Sequence, residues 1–490
     1  MLDTTSYLQA LKHKHQGSTF EASGLKKTRE PSLRNLLVVI MFLIASISSS
    51  ALCAADMNTP AYWIERQPAP YAVVLDQTGI GALNSQILAR VDQMADIYKM
   101  PDAIAGDRLR EWLLYDPVPD IAVVDRYDAK GAKLKKRDMD ALMAMINLDG
   151  VAASNPVRFG RVLFRADIRG FPTDEPFLRR PGETAFDTLQ YSSIFPPSSV
   201  ALLHTSKNGM WGFFQTPFTR GWMRLDKVAF ATREDSVSLS TEPLVITGSS
   251  VEVYVDAGLT KPLISLPMGT VLDIVSQDAL TWQVRLPTKG SSGELAWANA
   301  YAGKKADAHE GFLPYTPAAI ITQAFKMLGE RYGWGGDAGR RDCSEFLRDA
   351  FATVGVRLPR NSQQQLSAGV LLPEGGAADT PQTIEAVLTD SRAKQGITLL
   401  VTSTHVMLYL GKGSSGAPYV IHQAHGYTHN GKKHLVDRVV VSGLGYGKDK
   451  AGLWPLLGQV KSVTVVTLPP NGALPEVGLV SLGKVSTNGL

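Results

Sequence analysis

The apolar residues of this chain change period twice, and each change limits the folds open to the stretch that follows. From residue 56 to about 150 they recur at helical spacing. Asn84-Ser85 precede Ile87, Leu88, Val91, Met94, Ile97 and Tyr98. Asp138 precedes Met139, Leu142, Met145 and Ile146, and Asn147 to Gly150 ends that run. These residues predict a helical N-terminal domain. From residue 157 to about 237 the pattern breaks into short alternating runs, and residues 200–206 and 210–215 flank a Lys207-Asn-Gly turn that predicts a hairpin. Residues 243–314 repeat this texture at 251–255, 269–275 and 281–286. Two units of roughly 70 to 80 residues, each with about five short strands, predict small half-open barrels. After residue 314 helices come first. Thr316 is placed to cap a helix with Pro317 at its first position, followed by the stripe Ile320, Ile321, Ala324, Phe325 and Leu328. A second helix runs through Phe346, Leu347, Ala350, Phe351 and Val354 to Gly355. Strands then follow near 397–401, 405–410, 419–422 and 461–468, so residues 315–470 read as an α+β domain with a tail over 471–490.

The first 35 residues carry six Lys/Arg against three acids, followed by an apolar run from Leu36 to about Ile47 and small residues to Ala55. This is the layout of a secretory signal over 1–55, too short in its apolar core to span a bilayer comfortably. An uncleaved anchor is the alternative, and Leu52 fits lipidation of Cys53 poorly. Without this segment the formal charge of +4 falls to about +1 over 435 residues. A near-neutral chain without basic runs argues against a nucleic-acid partner. Its length calls for several cores.

Once Cys53 is discounted, a single cysteine remains, Cys343. A lone thiol outside the cytoplasm has no internal disulfide partner, so it is core filler, an intermolecular bridge or a nucleophile. It follows a glycine-rich turn (Gly333, Gly335, Gly336), and Asp342 sits where a helix cap would, which places Cys343 at the first helical position. There the helix dipole and a histidinium neighbour favour the thiolate, with a pKa in the range of about 3.5–7.5. The same N–H groups are placed to hold an oxyanion. His405 opens one strand and His422 lies on the next, and pairing across the turn at 411–418 brings the two rings together. The arrangement predicts Cys343 as nucleophile, His405 as base and acid, and His422 as orienter. His422, His425, His429 and His434 are the alternative, as metal ligands, but Gly426 and Asn430-Gly431 point to loop rather than helix.

Residues 314 to about 470 resemble an NlpC/P60 peptidase domain. The resemblance is carried by Tyr332-Gly-Trp-Gly-Gly336, Asp342-Cys-Ser-Glu-Phe346, Leu358-Pro-Arg-Asn-Ser-Gln-Gln364, His405-Val-Met-Leu-Tyr-Leu-Gly411 and Val420-Ile-His422. The β-rich units resemble the two SH3-like modules of multi-domain members. The resemblance implies a papain-like core and cleavage of the amide between D-γ-glutamyl and a diamino acid in murein stem peptides, with no cofactor or metal. It makes Cys343, His405 and His422 the catalytic residues, with His425 as an alternative third member, and Tyr332 an oxyanion-side hydroxyl. Asp342 and Ser344 flank the nucleophile where the family contacts the stem. Arg360, Asn361 and Ser362 match a substrate loop in which Asp commonly stands at the Asn361 position to pair with a free L-Ala amine. Tyr191 is the aromatic that the first SH3-like module would lend. The expected partners are peptidoglycan stem peptides or muropeptides in the periplasm or cell envelope, with the membrane involved only through an uncleaved signal. Hydrolysis of another amide, acyl transfer at the same thiol, and a non-catalytic wall-binding role remain open.

Overall fold

The computed structural model describes residues 57–115, 124–236, 242–373, 380–429, 432–444, 456–469 and 472. The segment over 1–55 read as a signal, and nearly all of the tail over 471–490, lie outside the described residues.

The described residues of 57–150 pack into cores that they share with later modules. Helices α1 (Pro60–Ile64) and α2 (Gln77–Arg90) bury Tyr62, Trp63, Ile80, Leu83 and Ile87 in the core of the last module. There the Trp63 ring lies 5.4 Å from Tyr419. Helices α3 (Gly106–Tyr115) and α4 (Lys136–Met145) instead bury Leu109, Leu113 and Met139 with Phe171, Phe213 and Trp222 of the first β module. The 84–98 stripe is therefore not one helix. Asp76 caps α2 by accepting the Gly79 N–H at 2.8 Å, and Gly79 and Gly81 hide that start from an apolar pattern. The chain leaves the helix at Val91, and Ile97–Lys99 forms only a short 3-10 turn.

The first β module holds β1 (Arg158–Val162), β2 (Ala166–Arg169), β3 (Gln190–Ile194), β4 (Ser199–Thr205), β5 (Trp211–Gln215), β6 (Arg220–Arg224) and β7 (Val228–Ala231). They form one antiparallel sheet in the order β3-β2-β6-β5-β4-β1-β7. The β4–β5 hairpin turns at Gly209, whose φ of 68° suits the Asn-Gly signal. Strand β3 lies at the sheet edge that faces the last module. The second module is a five-stranded and a three-stranded sheet around Leu244, Val253, Leu266, Trp282, Val284 and Ala300, with more strands than the texture predicts.

In the last module, α5 (Pro317–Lys326) starts as expected, with the Thr316 hydroxyl accepting the Ala319 N–H at 3.1 Å. Helix α6 (Cys343–Ala352) buries Phe346, Leu347, Ala350 and Phe351 against an antiparallel sheet. That sheet is built from β8 (Val370–Leu372), β9 (Thr398–Val401), β10 (Val406–Lys412), β11 (Pro418–His429), β12 (Lys432–Gly443) and β13 (Ser462–Val465). Its order is β8-β13-β9-β10-β11-β12. Helices before antiparallel strands give the α+β layering expected of this stretch. Arg341, 6% exposed, locks the second module to α6. It donates to Asp349 at 2.7 Å, to Glu330 at 2.8 Å and to the Ser249 carbonyl at 2.8 Å. None of the described helices is long and apolar enough to cross a membrane.

Candidate active site

The glycine turn exists so that two modules can touch. Gly335 and Gly336 sit at φ of 58° and 77°, and a Cβ on either would collide with β3, at the Gln190 carbonyl and at Ser193. Only glycine meets both demands, a left-handed backbone and close approach. Gln190 Nε2 donates to the Gly335 carbonyl at 3.0 Å, so the first module packs directly against the glycine turn that precedes Cys343.

Asp342 caps α6 through its Oδ1, which accepts the Glu345 N–H at 3.0 Å, and its Oδ2 accepts the Gly335 N–H at 3.2 Å. Arg360 grips the same carboxylate in bidentate fashion at 3.1 and 2.7 Å. It also donates to Ser344 at 2.9 Å and to Ser192 of β3 at 2.7 Å. Burial alone would raise the Asp342 pKa. Arg360 and the other hydrogen bonds overcome that and hold the carboxyl below its usual range. Three residues predicted to meet substrate (Asp342, Ser344, Arg360) thus form one buried network around the start of α6.

Cys343 opens α6 and is 7% exposed, and the Val406 N–H points at its sulfur. Val406 follows His405 directly, so the thiol lies at the start of β10. The register Leu408↔Ile421 sets His405 diagonally across from His422 rather than squarely opposite it. The rings still meet, with His405 Nε2 2.7 Å from His422 Nδ1. His422 Nε2 lies 3.1 Å from the Ser442 hydroxyl on β12, a contact the sequence reading did not foresee. The chain His405–His422–Ser442 uses His405 Nε2 and both ring nitrogens of His422, and leaves His405 Nδ1 outside it.

The electrostatics correct the expectation of a resting thiolate. Burial, then the adjacent Asp342 carboxylate, push the Cys343 thiol up to about 12, against weaker opposing pulls from Val406, Arg360 and the helix N–H. Burial likewise pulls His405 down to about 4 and His422 well below its usual value. The uncharged forms, thiol and imidazole, are therefore favoured. The helix end loses because its own cap carries a negative charge next to a desolvated sulfur.

This has a measurable consequence. Between the unfolded histidine pKa of about 6.5 and the folded value of about 4, the unfolded chain binds more protons. Stability therefore rises with pH through that window and is lost as pH falls from 6.5 toward 4. For His405 the loss is on the order of 2–3 kcal/mol. Urea unfolding at pH 7 and pH 4.5 measures it, and His405→Asn should shrink the difference. An unchanged difference in that variant would contradict a buried neutral imidazole.

The remaining predicted residues divide. Tyr332 lies close enough to feel the charges of Cys343, Asp342 and Arg360, and burial first, then Cys343 and Asp342, raise its pKa well above 10. It therefore remains a neutral donor. Asn361 and Ser362 stay half-exposed on the loop after Arg360, and Asn361 Oδ1 accepts the Gln363 N–H at 2.8 Å. Tyr191 is not brought to the thiol. Its hydroxyl packs over Gly170, and the ring lines a separate pocket with Gln93, Trp112, Arg169 and Arg220. A register shift explains this: Ile168 lies opposite Ser192 and Arg169 opposite Gln190, so Tyr191 is the extra residue of a bulge and is turned onto Gly170. The polar groups that β3 does lend, Ser192 and Gln190, had no sequence signal. His425 packs edge-on against Phe186 (4.6 Å) and Tyr332 (5.4 Å), and His434 stacks on Tyr427 at 4.8 Å. Among the described residues no three His, Cys, Asp or Glu side chains converge as a metal site.

Comparison with known proteins agrees with this architecture. Residues 329–431 match the NlpC/P60 family and residues 176–224 match an SH3 domain of the SH3b1 type. A gamma-D-glutamyl-L-lysine dipeptidyl-peptidase of Bacillus cereus is 26% identical over 198 residues, 40% of this chain and 54% of that protein. The peptidoglycan endopeptidase RipB of Mycobacterium tuberculosis is 32% identical over 111 residues, 19% of this chain and 39% of that protein. The chain thus spans about half the length of the first relative and less of the second. A solved NlpC/P60 endopeptidase from Photobacterium damselae subsp. piscicida shares the fold with a TM-score of 0.62 at 17% identity, over 80% of this chain and 94% of that one. The glycine turn, the Asp342-capped helix that Cys343 opens and the paired histidine strands all fall inside residues 329–431, the stretch that matches the NlpC/P60 family, and an SH3b-type module is built against that domain.

Proposed function

We propose that this protein is a cysteine endopeptidase that hydrolyses the amide between a γ-D-glutamyl residue and a diamino acid in peptidoglycan stem peptides, acting in the periplasm or cell envelope after export. The observation that carries the reading is the placement of Cys343 at the first turn of α6, beside the strand whose His405 is held by His422 and Ser442. Sulfur attacks the acyl carbon while its proton passes to His405 Nδ1. That proton then goes to the departing amine, the C–N bond breaks, and an acyl-enzyme remains. Water, deprotonated by the same nitrogen, releases the acid and restores the thiol. Because the resting pair is uncharged, the proton leaves sulfur only as substrate closes the site. The N–H groups at the start of α6 and the neutral Tyr332 hydroxyl are placed to receive the developing oxyanion. The names of the Bacillus and Mycobacterium relatives support the choice of bond and polymer.

Mass spectrometry of a digest of synthetic L-Ala-γ-D-Glu-diamino acid tripeptide tests this. The expected products are L-Ala-γ-D-Glu and the free diamino acid. An intact tripeptide, or release of L-Ala alone, would refute the assignment.

A further inference from the structure

Two arginines, Arg126 of the N-terminal segment and Arg179 of the first module, are not used by the proposed reaction. Tyr127 and Leu178 form an antiparallel bridge, with N–H···O distances of 2.9 and 2.8 Å in the two directions, and Leu178 pairs in the same sense with Asp187. The neighbouring positions then fall on one rung: Arg126, Arg179 and Phe186. Two like charges on one rung repel, and that arrangement is destabilising unless something offsets it. Nothing does among the described residues, where neither guanidinium has a carboxylate within ion-pair distance. Arg126 is 2% exposed, and its Nε and Nη2 have no hydrogen-bond partner; the Nε of Arg179 has none either. Burial and then the charge of Arg179 pull the Arg126 pKa down, the signature of a cation that lacks a counter-ion.

This rung faces the peptidase site. The Trp334 indole donates to the Asp187 carbonyl at 2.9 Å and so fastens the rung to the glycine turn. The Arg179 guanidinium carbon lies 5.9 Å from the Phe186 ring and 5.8 Å from the Trp334 ring. Phe186 lies 6.4 Å from Tyr332, and Tyr332 feels the charges of both Arg360 and Arg179. Arg360 is committed to Asp342, whereas Arg179 is half-exposed and uncommitted. A half-exposed guanidinium on an aromatic floor, with a second one fixed behind it, is suited to bidentate recognition of a carboxylate.

We propose that the Arg126–Arg179 rung is a carboxylate subsite of the peptidase groove, in which Arg179 reaches the ligand and Arg126 reinforces its charge from behind. The inference rests on the stem-peptide reading. A γ-linkage leaves the D-Glu α-carboxylate free near the scissile amide, and the diamino acid keeps a carboxylate on the leaving side. Both sources offer the same chemistry.

The test compares three tripeptides: the parent, one with the D-Glu α-carboxylate amidated, and one with the diamino acid carboxylate amidated. In wild type, amidation at the carboxylate that is bound should lower kcat/KM by about 10- to 100-fold. Arg179→Ala should lose a similar factor on the parent and less than about 3-fold on that amidated peptide, and Arg179→Lys should recover part of the loss. Retained cleavage of the amidated peptide shows at the same time that the variant is folded. Equal losses on all three peptides, or none on the parent, would overturn the subsite while leaving the proposed reaction standing. A wild type inert on all three would overturn both.

Discussion

Cys343→Ala is expected to abolish peptide cleavage, with turnover reduced by roughly 10⁴-fold or more, in a protein that remains folded. Removing the nucleophile of a unit that acts together costs about as much as removing the whole unit, so little activity should survive on binding and oxyanion contacts alone. The structural cost is small by comparison. The side chain loses one sulfur from a position 7% exposed, while the cap made by Asp342 and the packing of Phe346, Leu347 and Phe351 stay in place. A loss of about 1 kcal/mol in unfolding free energy is the expected scale for so small a truncation. Cys343→Ser is the stricter test, because it keeps shape and hydrogen bonding. A hydroxyl beside an imidazole whose pKa is pulled down to about 4 is an even poorer nucleophile than the thiol, so this variant should be nearly as inactive. Cleavage by either variant at a tenth of the wild-type rate would remove Cys343 from the reaction.

The part of this site that could be read from the residues is the part set by local geometry. Asp-Cys-Ser after a glycine turn fixes a helix start, and two histidines on strands joined by a short turn must come near each other. The structure keeps both, with His422 reached diagonally across the register. What the sequence hid depends on which surfaces meet. The thiol titrates upward because of how deeply α6 is packed, and no residue pattern carries that. Ser192 and Gln190 matter because β3 is an edge strand pressed onto Gly335 and Gly336, and a bulge in that strand turns Tyr191 onto Gly170. The division of the N-terminal helices between two cores is equally invisible to periodicity, which reports an apolar face but not its neighbour.

Arg360→Ala is expected to destabilise the protein by about 3–5 kcal/mol at neutral pH, the usual scale for breaking a buried ion pair from one side. Asp342 and Glu345, 7% and 3% exposed, would lose the guanidinium that bridges them at 2.7 and 3.4 Å, and Ser192 would lose its bond to the last module. The pH dependence distinguishes this cause from simple loss of packing. In wild type the Asp342 pKa is held below its ordinary value, so its contribution is present above that value and lost as pH falls through the depressed one. Without Arg360, burial dominates and the folded pKa rises above the unfolded one, so protonation favours the folded state. Burial already raises Glu345 to about 7 with Arg360 present, and it would rise further. The destabilisation should therefore shrink between pH 7.5 and pH 5, measured as the difference in urea unfolding between variant and wild type at each pH. Asp342→Asn combined with Arg360→Met should be less destabilised than Arg360→Met alone, because only one of the two buried anions, Glu345, is then left without Arg360. A penalty below about 1 kcal/mol, or one that stays constant with pH, would mean that Arg360 does not hold the charge at the start of α6.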